Sequence, residues 1–291
     1  MHKIIYDCDN TMGVVGCDVD DGLTLLYLLG REDVDLQGLT LTYGNNTIDV
    51  VYETTMNMIK ELNLNHIKVF KGSEDHQNRI SEASKFLANT VKDNPKEITI
   101  LATGALTNLY GAYLYDNDFF TNVKEIALMG GVTSPLIIHG HKVDELNFSC
   151  DPEASHKVLS SEAKVSILNG HTTMEAIFGP KELLKLESSS NKLFKYILEK
   201  INPWCVSMEK LMDVKAFCNW DAAAAIYITN PELFQNETVI INSSVKDLKS
   251  GYLNLCEDGK KIYMPSSIID LETFNEILIN GFINTNNNLD I

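Results

Sequence analysis

The fold is decided by residues 3–31, KIIYDCDNTMGVVGCDVDDGLTLLYLLGR. The short apolar run Ile4–Tyr6 predicts a buried strand, and Leu23–Leu29 has the apolar content of a helix that packs against a sheet. Between Lys3 and Arg31 the segment holds five aspartates and no lysine or arginine. A strand, an acidic segment and a helix in this order predict the first unit of an α/β protein, with polar residues where the strand ends.

The alternation of strands and helices continues along the chain. Further strands are predicted at Leu36–Tyr43, Ile67–Phe70, Ile98–Ala102, Val123–Met129 and Val165–Leu168, with helices at Val50–Leu62 and Ala83–Lys92 and from Leu106 and Asp151 onward. The pattern becomes mostly helical after residue 175, short strands return at Val239–Ile241 and Ile262–Met264, and the polar tail from Asn284 is expected to be loose. We predict one domain over residues 1–291, with a doubly wound, mostly parallel, Rossmann-like sheet and a helical excursion in the C-terminal half.

Composition excludes several classes of partner. Across 291 residues, 24 Lys and Arg against 40 Asp and Glu give a formal net charge of −16. This charge repels phosphate backbones and anionic lipids, so neither nucleic acid nor membrane is expected as a partner. The six cysteines contain no CxxC pair, and no signal-peptide run precedes the first aspartate. We therefore expect reduced thiols and a cytoplasmic protein that acts on a small molecule.

The aspartates of residues 3–31 predict a cation site. Asp7 and Asp9 follow the first strand, and the pair Asp20–Asp21 precedes the first helix, so all of them lie at the carboxyl edge of the sheet. Helix capping explains one or two of these carboxylates. Because like charges held this close raise one another's pKa, a hard cation with oxygen ligands, Ca²⁺ or Mg²⁺, is predicted here.

The segment Asp7–Thr11, DCDNT, resembles the DxDxT motif of haloacid-dehalogenase-type phosphatases, whose first aspartate is a nucleophile. That family carries its acidic pair late in the chain, whereas Asp20–Asp21 follow soon after the motif and the strand Val123–Met129 ends in two glycines. A phosphatase acting through Asp7 is kept as an alternative.

A longer series of motifs resembles the inosine-uridine-type nucleoside hydrolases. Their N-terminal signature is a DxDxGxDD-like run, matched by Asp7, Asp9, Asp20 and Asp21 with an insertion, Asn10–Val19, in place of a shorter connector. The later motifs occur in the family's order: Tyr43–Asn45 (VxGN), Leu101–Asn108 (ATGPLTN), Met129–Gly131 (MGG), Glu145–Asn147 with Asp151–Ala154 (EFN…DPEA) and Asn219–Ala222 (HD or WD). Each motif alone is weak, but their order is specific, and the Trp220–Asp221 pair resembles the purine-preferring branch.

The resemblance implies a metal-dependent nucleoside N-ribohydrolase that prefers purine ribonucleosides and binds Ca²⁺ rather than Mg²⁺. The metal ligands it implies are Asp9, Asp21, the Thr103 carbonyl and Asp221, with Asp9 also the general base. The ribose contacts it implies are Asp20, Asn45, Glu145 and Asn147, while Asp7 lies behind the ligands. It also implies a homodimer or homotetramer.

Activation of the leaving base departs from the commonest pattern of the family. Trp220 stands where many members have a histidine, and an indole can stack on a purine but cannot donate a proton as imidazolium does. The loop after Gly72 is too short for the second aromatic of the purine-preferring branch, so Trp204 and Phe217 are candidates to replace it. His139, in a glycine-containing loop, stands where the family often has an asparagine and is predicted to face the ribose 5′ side. A catalytically weak nucleoside- or ribose-binding homologue is the second alternative.

Overall fold

The computed structural model describes residues 1–289, in which an eight-stranded sheet carries helices on both faces. Twelve strands are described: β1 (His2–Cys8), β2 (Val34–Leu41), β3 (Val69–Lys71), β4 (Ile98–Ala102), β5 (Glu125–Met129), β6 (Leu136–Ile138), β7 (His141–Val143), β8 (Val165–Leu168), β9 (Ile177–Phe178), β10 (Phe217–Cys218), β11 (Thr238–Ile241) and β12 (Lys260–Tyr263). The helices are α1 (Asp20–Leu29), α2 (Ile48–Glu61), α3 (Glu82–Asp93), α4 (Thr107–Tyr115), α5 (Phe119–Asn122), α6 (Asn147–Cys150), α7 (Pro152–Leu159), α8 (Gly170–Thr173), α9 (Pro180–Glu187), α10 (Lys192–Met212), α11 (Trp220–Thr229), α12 (Val245–Leu248) and α13 (Leu271–Asn288), with a 3₁₀ turn at Pro231–Leu233.

The central sheet has the strand order β11-β12-β8-β5-β4-β1-β2-β3. Only β11 runs antiparallel to its neighbour within the described sheet, and every other pair is parallel. This confirms the predicted doubly wound, mostly parallel fold. The strand order reverses between β1 and β4, and ligands of such sheets bind at the carboxyl ends of the strands beside this switch point.

Strand β1 shows why the sequence forms a sheet that is covered on both faces. Ile4 and Tyr6 pack in a large apolar cluster with residues of α1, α10, α11 and α13, whereas Ile5 packs in a second cluster with residues of α3, α4 and α7. All three side chains are fully buried. Because successive side chains of a strand point to opposite faces, a continuous apolar run suits a central parallel strand.

Two small pairings were not predicted. The segment containing His139, expected to be a loop, forms the two-residue turn of a hairpin in which β6 pairs with β7. His139 and Gly140 have φ of 47° and 84°, the left-handed conformation that such hairpin turns require at both positions. The second pairing, β9 with β10, lies inside the segment expected to be mostly helical. Strands of two or three residues are too short to show a periodic pattern in the sequence.

The expectation of a loose tail from Asn284 was wrong for its first part, because α13 continues to Asn288. Asn284 Nδ2 donates to the Gly30 carbonyl at 3.1 Å, and Thr285 Oγ1 donates to the Leu26 carbonyl at 2.6 Å. These contacts with α1 and the residue after it hold the last turns of α13; residues 290 and 291 lie outside the described residues. None of the helices in residues 1–289 combines the length and apolar composition needed to cross a membrane.

Candidate active site

The predicted site residues gather beside the switch point between β1 and β4. Asp9 follows β1 directly and Thr103 follows β4, while the pair Asp20–Asp21 opens α1 and the pair Trp220–Asp221 opens α11. Each of these side chains therefore lies at a strand end or in the first turn of a helix. Free amides and the helix dipole favour carboxylates at such positions.

Three carboxylates form the centre of the site. Asp20, Asp21 and Asp221 each offer an oxygen, and these oxygens lie within 4.8 Å of one another. All three side chains are buried, and the Asp221 backbone N–H donates to Asp20 Oδ2 at 3.0 Å. The group contains two of the predicted metal ligands and also Asp20, which was predicted to bind ribose. Its oxygen-only chemistry suits a hard cation.

Asp9 is held by a tight backbone cradle. Its Oδ2 accepts a hydrogen bond from the Asn45 backbone N–H at 2.5 Å. A Cβ on Gly44 would lie 2.2 Å from Asp9 Oδ2, and one on Gly104 would lie 2.6 Å from Thr42 Cγ2 and 2.9 Å from Asp9 Oδ1, so neither position has room for a side chain unless these neighbours move. Asp9 Oδ1 is buried and finds no hydrogen-bond partner among residues 1–289. A buried carboxylate oxygen without a donor is costly, and a cation beside it would remove that cost.

Thr103 and Asn147 link the carboxylates to the neighbouring strands. Thr103 Oγ1 donates to Asp21 Oδ1 at 2.8 Å, and the Tyr6 hydroxyl donates to the same oxygen at 3.1 Å. The Thr103 carbonyl, the predicted metal ligand, accepts from Asn147 Nδ2 at 2.9 Å. A carbonyl oxygen has a second lone pair, so this bond leaves it able to bind a cation.

Glu145 is fixed by the backbone around the start of α6. Its carboxylate accepts hydrogen bonds from the N–H groups of Gly131, Phe148 and Ser149 at 3.1, 2.7 and 3.0 Å. Burial raises the pKa of Glu145, and these amide hydrogen bonds oppose that rise. The structure therefore gives Glu145 a clear role in positioning α6, and its side chain also lines the cavity.

A cavity of about 690 Å³, which includes space open to solvent, lies over these groups. Its lining contains seven of the predicted site residues: Asp20, Asn45, Thr103, Glu145, Asn147, Trp220 and Asp221. Small-molecule sites have volumes of roughly 300–1,000 Å³, so the cavity can hold a nucleoside-sized ligand. Of the predicted site residues, Asp21, Asp9 and His139 do not line it within the described structure.

Three sequence predictions concern residues that the structure places elsewhere. His139 lies at the tip of the β6–β7 hairpin, where its Nδ1 lies 2.8 Å from Asp213 Oδ2, and its contact with ribose stays a prediction. Phe217 is fully buried against Phe178, so its predicted reach into the pocket was wrong. Trp204 packs against the large apolar cluster and also lies outside the cavity lining.

Asp7 lies behind the ligands, where it was predicted. It is fully buried and accepts hydrogen bonds from Thr40 Oγ1 at 2.5 Å and Asn108 Nδ2 at 2.8 Å. Two neighbouring side chains already use Asp7 Oδ1, which suits a carboxylate that supports the site rather than a phosphatase nucleophile. The phosphatase alternative is therefore not favoured.

The electrostatics of the site favour a positive charge beside its carboxylates. Burial raises the pKa of Asp9, Asp20 and Asp221 well above the usual range, and repulsion among the neighbouring carboxylates raises it further. Burial likewise raises the pKa of Asp18 to about 7. No lysine, arginine or histidine within residues 1–289 lines the cavity. A cation from solvent would stabilise the ionised form of every carboxyl group in this cluster.

Sequence reasoning gave no role to part of the cavity wall. The hairpin contributes Leu136 from β6 and Val143 from β7, and Asp144 follows them. Gly140, in the turn, is the residue by which the sequence could have indicated this hairpin. Asp18, from the insertion Asn10–Val19, also lines the cavity. Its acidic character was visible in the sequence, but which way its side chain faces was not.

A doubly wound sheet with a cluster of buried carboxylates and a cavity at its switch point defines an α/β enzyme that acts on a small molecule. A family model described as "Inosine-uridine preferring nucleoside hydrolase" matches residues 4–262. The chain therefore belongs to this family, which is metal-dependent in general, and it is a hydrolase acting on N-glycosyl bonds.

Among the proteins similar to this chain are two whose names give different substrates. A probable uridine nucleosidase 2 of Arabidopsis thaliana is 26% identical over 263 residues, which cover 80% of this chain and 79% of that protein. An inosine-uridine preferring nucleoside hydrolase of Crithidia fasciculata is 23% identical over 269 residues, which cover 82% of each chain.

Solved structures share the fold. A plant nucleoside hydrolase has a TM-score of 0.85 at 20% identity, covering 97% of this chain and 98% of its own. A purine-preferring ribonucleoside hydrolase from Gardnerella vaginalis has a TM-score of 0.84 at 20% identity, covering 98% and 99%. The predicted family and fold are thus confirmed.

Proposed function

We propose that this protein is a Ca²⁺-dependent nucleoside N-ribohydrolase that cleaves ribonucleosides, purine ribonucleosides preferentially, to free base and ribose. One observation carries the proposal. Asp20, Asp21 and Asp221 bring carboxylate oxygens within 4.8 Å of one another in a buried site whose cavity is lined by no basic side chain of residues 1–289.

The donor set suits calcium. Asp9, Asp21, Asp221 and the Thr103 carbonyl would hold the ion, and Asp20 is near enough to the same group to contribute. Ca²⁺ accepts six to eight oxygen ligands in flexible geometry, whereas Mg²⁺ keeps several waters and is held by one or two carboxylates. A site with this many carboxylates therefore favours Ca²⁺. When bound, the cation would supply positive charge that lowers the pKa of water and orients the ribose diol.

The ribose contacts come from side chains that the fold already holds in place. Asn147 Nδ2 donates to the carbonyls of Thr103 and Met129, at 2.9 and 3.1 Å, which leaves its Oδ1 to accept from a sugar hydroxyl. Asn45 and Asp20 line the same cavity. Preorganised contacts of this kind allow binding energy from the sugar to be expressed in the transition state.

Asp9 is proposed to take the proton of the attacking water. Its Oδ2 is fixed by the Asn45 backbone N–H, and Oδ1 is the acceptor that has no donor among residues 1–289. A positioned general base contributes about 10²- to 10⁴-fold to the rate of a reaction of this kind. Trp220, which lines the cavity, is proposed to stack on the departing purine.

The proposal also covers the oligomeric state, the cellular compartment and the domain organisation of the protein. We propose a homodimer or homotetramer in the cytoplasm, built from one domain per chain. The family resemblance supports the assembly, and the six free cysteines suit a reducing compartment.

The test is release of ribose from inosine, guanosine, uridine and cytidine, measured as reducing sugar. We expect turnover of inosine and guanosine to exceed that of the pyrimidine nucleosides, to stop with chelator and to return with added Ca²⁺ more fully than with Mg²⁺. Trp220→Ala should lower purine turnover more than pyrimidine turnover. Exposed Asp93, at the end of α3, provides the matched control, because Asp93→Asn removes one charge far from the motifs.

The nucleoside-binding homologue remains the competing candidate for one reason. No residue of the loop 72–81 lines the cavity in the described structure, so the second aromatic of the purine-preferring branch has no counterpart from that loop. Tight binding of inosine with no ribose released under any metal condition would establish this alternative and overturn the proposed activity.

A further inference from the structure

The β6–β7 hairpin forms part of the cavity wall but pairs with no strand of the central sheet within the described residues. Leu136 of β6 and Val143 of β7 lie opposite each other in the hairpin, and both line the cavity. A two-stranded hairpin is at best marginally stable by itself. Contacts with the rest of the protein must therefore set the position of this wall.

A small apolar cluster joins the hairpin to the end of α10. Ile138 of β6 packs in this cluster with Met212, the last residue of α10. Val143 and Trp220 pack against the same cluster, and both of them also line the cavity. The hairpin wall therefore lies beside Trp220, the side chain proposed to stack on the base.

One polar contact joins the tip of the hairpin to the residue that follows α10. His139 Nδ1 lies 2.8 Å from Asp213 Oδ2, and the two residues directly follow Ile138 and Met212 of the apolar cluster. Because a carboxylate only accepts hydrogen bonds, Nδ1 is the donor in this contact. The side chains of His139 and Asp213 are 52% and 80% exposed. An exposed pair adds little to global stability, so loss of this contact should act on the hairpin rather than on the whole fold.

Both partners of this contact have a left-handed backbone. His139 has a φ of 47°, and Asp213, which ends α10, has a φ of 58°. Histidine, aspartate and asparagine are the residues other than glycine that are enriched in this conformation. Glycine at either position would therefore keep the turn and remove the side-chain contact. Asparagine would keep both, because its amide offers a donor and an acceptor at the same distance from the backbone.

We propose that His139 and Asp213 are positioning residues, whose contact holds Leu136 and Val143 beside Trp220 as a preformed apolar wall for the base of a bound nucleoside. This inference rests on the proposed function. The hairpin supplies this wall in a cavity to which the loop 72–81 contributes no residue. A wall that is already in place saves the cost of ordering it when the ligand binds. In this role His139 acts through the hairpin and touches no atom of the substrate.

The test measures kcat and KM for inosine in glycine and asparagine variants of both residues. In His139→Gly and Asp213→Gly, KM should rise about 2- to 5-fold, the range of an exposed ion pair, while kcat and Tm stay close to the wild-type values. His139→Asn and Asp213→Asn should keep the wild-type KM. The double glycine variant should be no worse than either single variant, because all three lose the same contact. Lys96→Gly is the control, since Lys96 also has a positive φ, of 64°, and does not line the cavity.

A direct contact between His139 and the ribose would give a different pattern. His139→Gly alone would then raise KM, and the rise would be smaller for 5′-deoxyinosine than for inosine. That pattern would overturn the proposal, as would a wild-type KM in both glycine variants.

Hydrogen exchange tests the same contact without turnover. In the absence of substrate, the backbone amides of residues 136–143 should exchange faster in Asp213→Gly than in the wild type, and at the wild-type rate in Asp213→Asn. Equal exchange in all three proteins would contradict the proposal. A wild-type protein that releases no ribose would refute the proposed function, and the exchange measurement would still decide whether the contact positions the hairpin.

Discussion

Two buried aspartates of this protein, Asp151 and Asp9, have opposite surroundings. Asp151 receives a two-pronged contact from Arg79, with Nε 2.9 Å from Oδ2 and Nη2 2.8 Å from Oδ1. Thr107 Oγ1 and the Ala154 N–H each add a hydrogen bond at 3.0 Å. Asp9 accepts a hydrogen bond from the Asn45 N–H, and the charged groups that face it are the carboxyls of Asp20 and Asp21 rather than a cation.

The difference separates carboxylates that serve the fold from those that serve the site. Removing a charge from water costs several kcal/mol unless it is paired or hydrogen-bonded, so a structural carboxylate needs partners supplied by the chain, as Asp151 has in Arg79, Thr107 and the Ala154 N–H. Asp9 and its neighbours Asp20, Asp21 and Asp221 lack such a cation within the described residues. Their counter-charge has to come from solution, which makes them a site.

The largest expected effect is on catalysis. Asp9→Ala should lower kcat/KM for inosine by about 10³-fold, because it removes the proposed general base and a metal ligand together. Circular dichroism should show the fold retained, since the Asp9 side chain bonds the Asn45 N–H after β2 and no residue within a strand. Turnover within about 3-fold of the wild type would show that the base is another group.

Substitution of Arg79, the partner of Asp151, should lower stability and leave the proposed Ca²⁺ site unchanged. Arg79→Ala should lower the free energy of unfolding by about 3–5 kcal/mol, because it leaves Asp151 buried without its cation. Urea denaturation measures this change, and Ca²⁺ affinity should stay at the wild-type value. Arg79→Lys should recover part of the loss. If Arg79→Ala cost nothing while Ca²⁺ affinity fell, the division between the two aspartates would be wrong.

The pH dependence of calcium stabilisation sharpens the same contrast. Burial raises the pKa of Asp7 and Asp18 to about 7, and raises that of Asp9 above its usual range. In the metal-free protein these groups bind more protons than in the unfolded chain. Their contribution to stability is therefore greatest below the ordinary aspartate pKa of 3.8 and is lost as pH rises through about 7. Protons and Ca²⁺ compete for the carboxylates, so the Ca²⁺-induced rise in Tm should be larger at about pH 7.5 than at about pH 5. Equal rises at both would argue against binding at these groups.

The smallest expected effect comes from the cradle around Asp9. In Gly44→Ala the new Cβ would lie 2.2 Å from Asp9 Oδ2, so Asp9 must turn and weaken its bond to the Asn45 N–H. We expect Ca²⁺ affinity and kcat/KM each to fall about 10-fold, the lower end for a hydrogen bond to a charged group. Gly179→Ala is the control, because the nearest atom to its Cβ would be 3.6 Å away. If the two variants behaved alike, steric contact with Asp9 would not matter.

Strand ends made much of the site predictable from the sequence. The pair Asp20–Asp21 opens a helix and Asn45 follows β2, so the topology of a parallel sheet brings them to one edge whatever their side-chain angles. Side-chain direction was not predictable by the same means. Asp20 joins the carboxylate group in addition to lining the cavity, and Asp18 also faces the cavity, because both outcomes depend on local turns. The contact of Asp20 with ribose stays a prediction.

Contacts between residues distant in the chain could not be predicted from the sequence, for a related reason. The Arg79–Asp151 pair and the contact between His139 and Asp213 join segments more than seventy residues apart. The last turns of α13 are held by the Gly30 carbonyl, although the tail itself has a loop-like composition. No local pattern records such pairings; they follow only from the packed layers.

Calcium binding and ribose release measured on the same samples test the central claim most directly. The account predicts one Ca²⁺ per chain by calorimetry, with activity toward inosine rising over the same Ca²⁺ range. It predicts that both are lost in Asp21→Asn and both kept in Arg79→Ala at a temperature where that variant is folded. Full activity in chelated protein that binds no Ca²⁺ would contradict it.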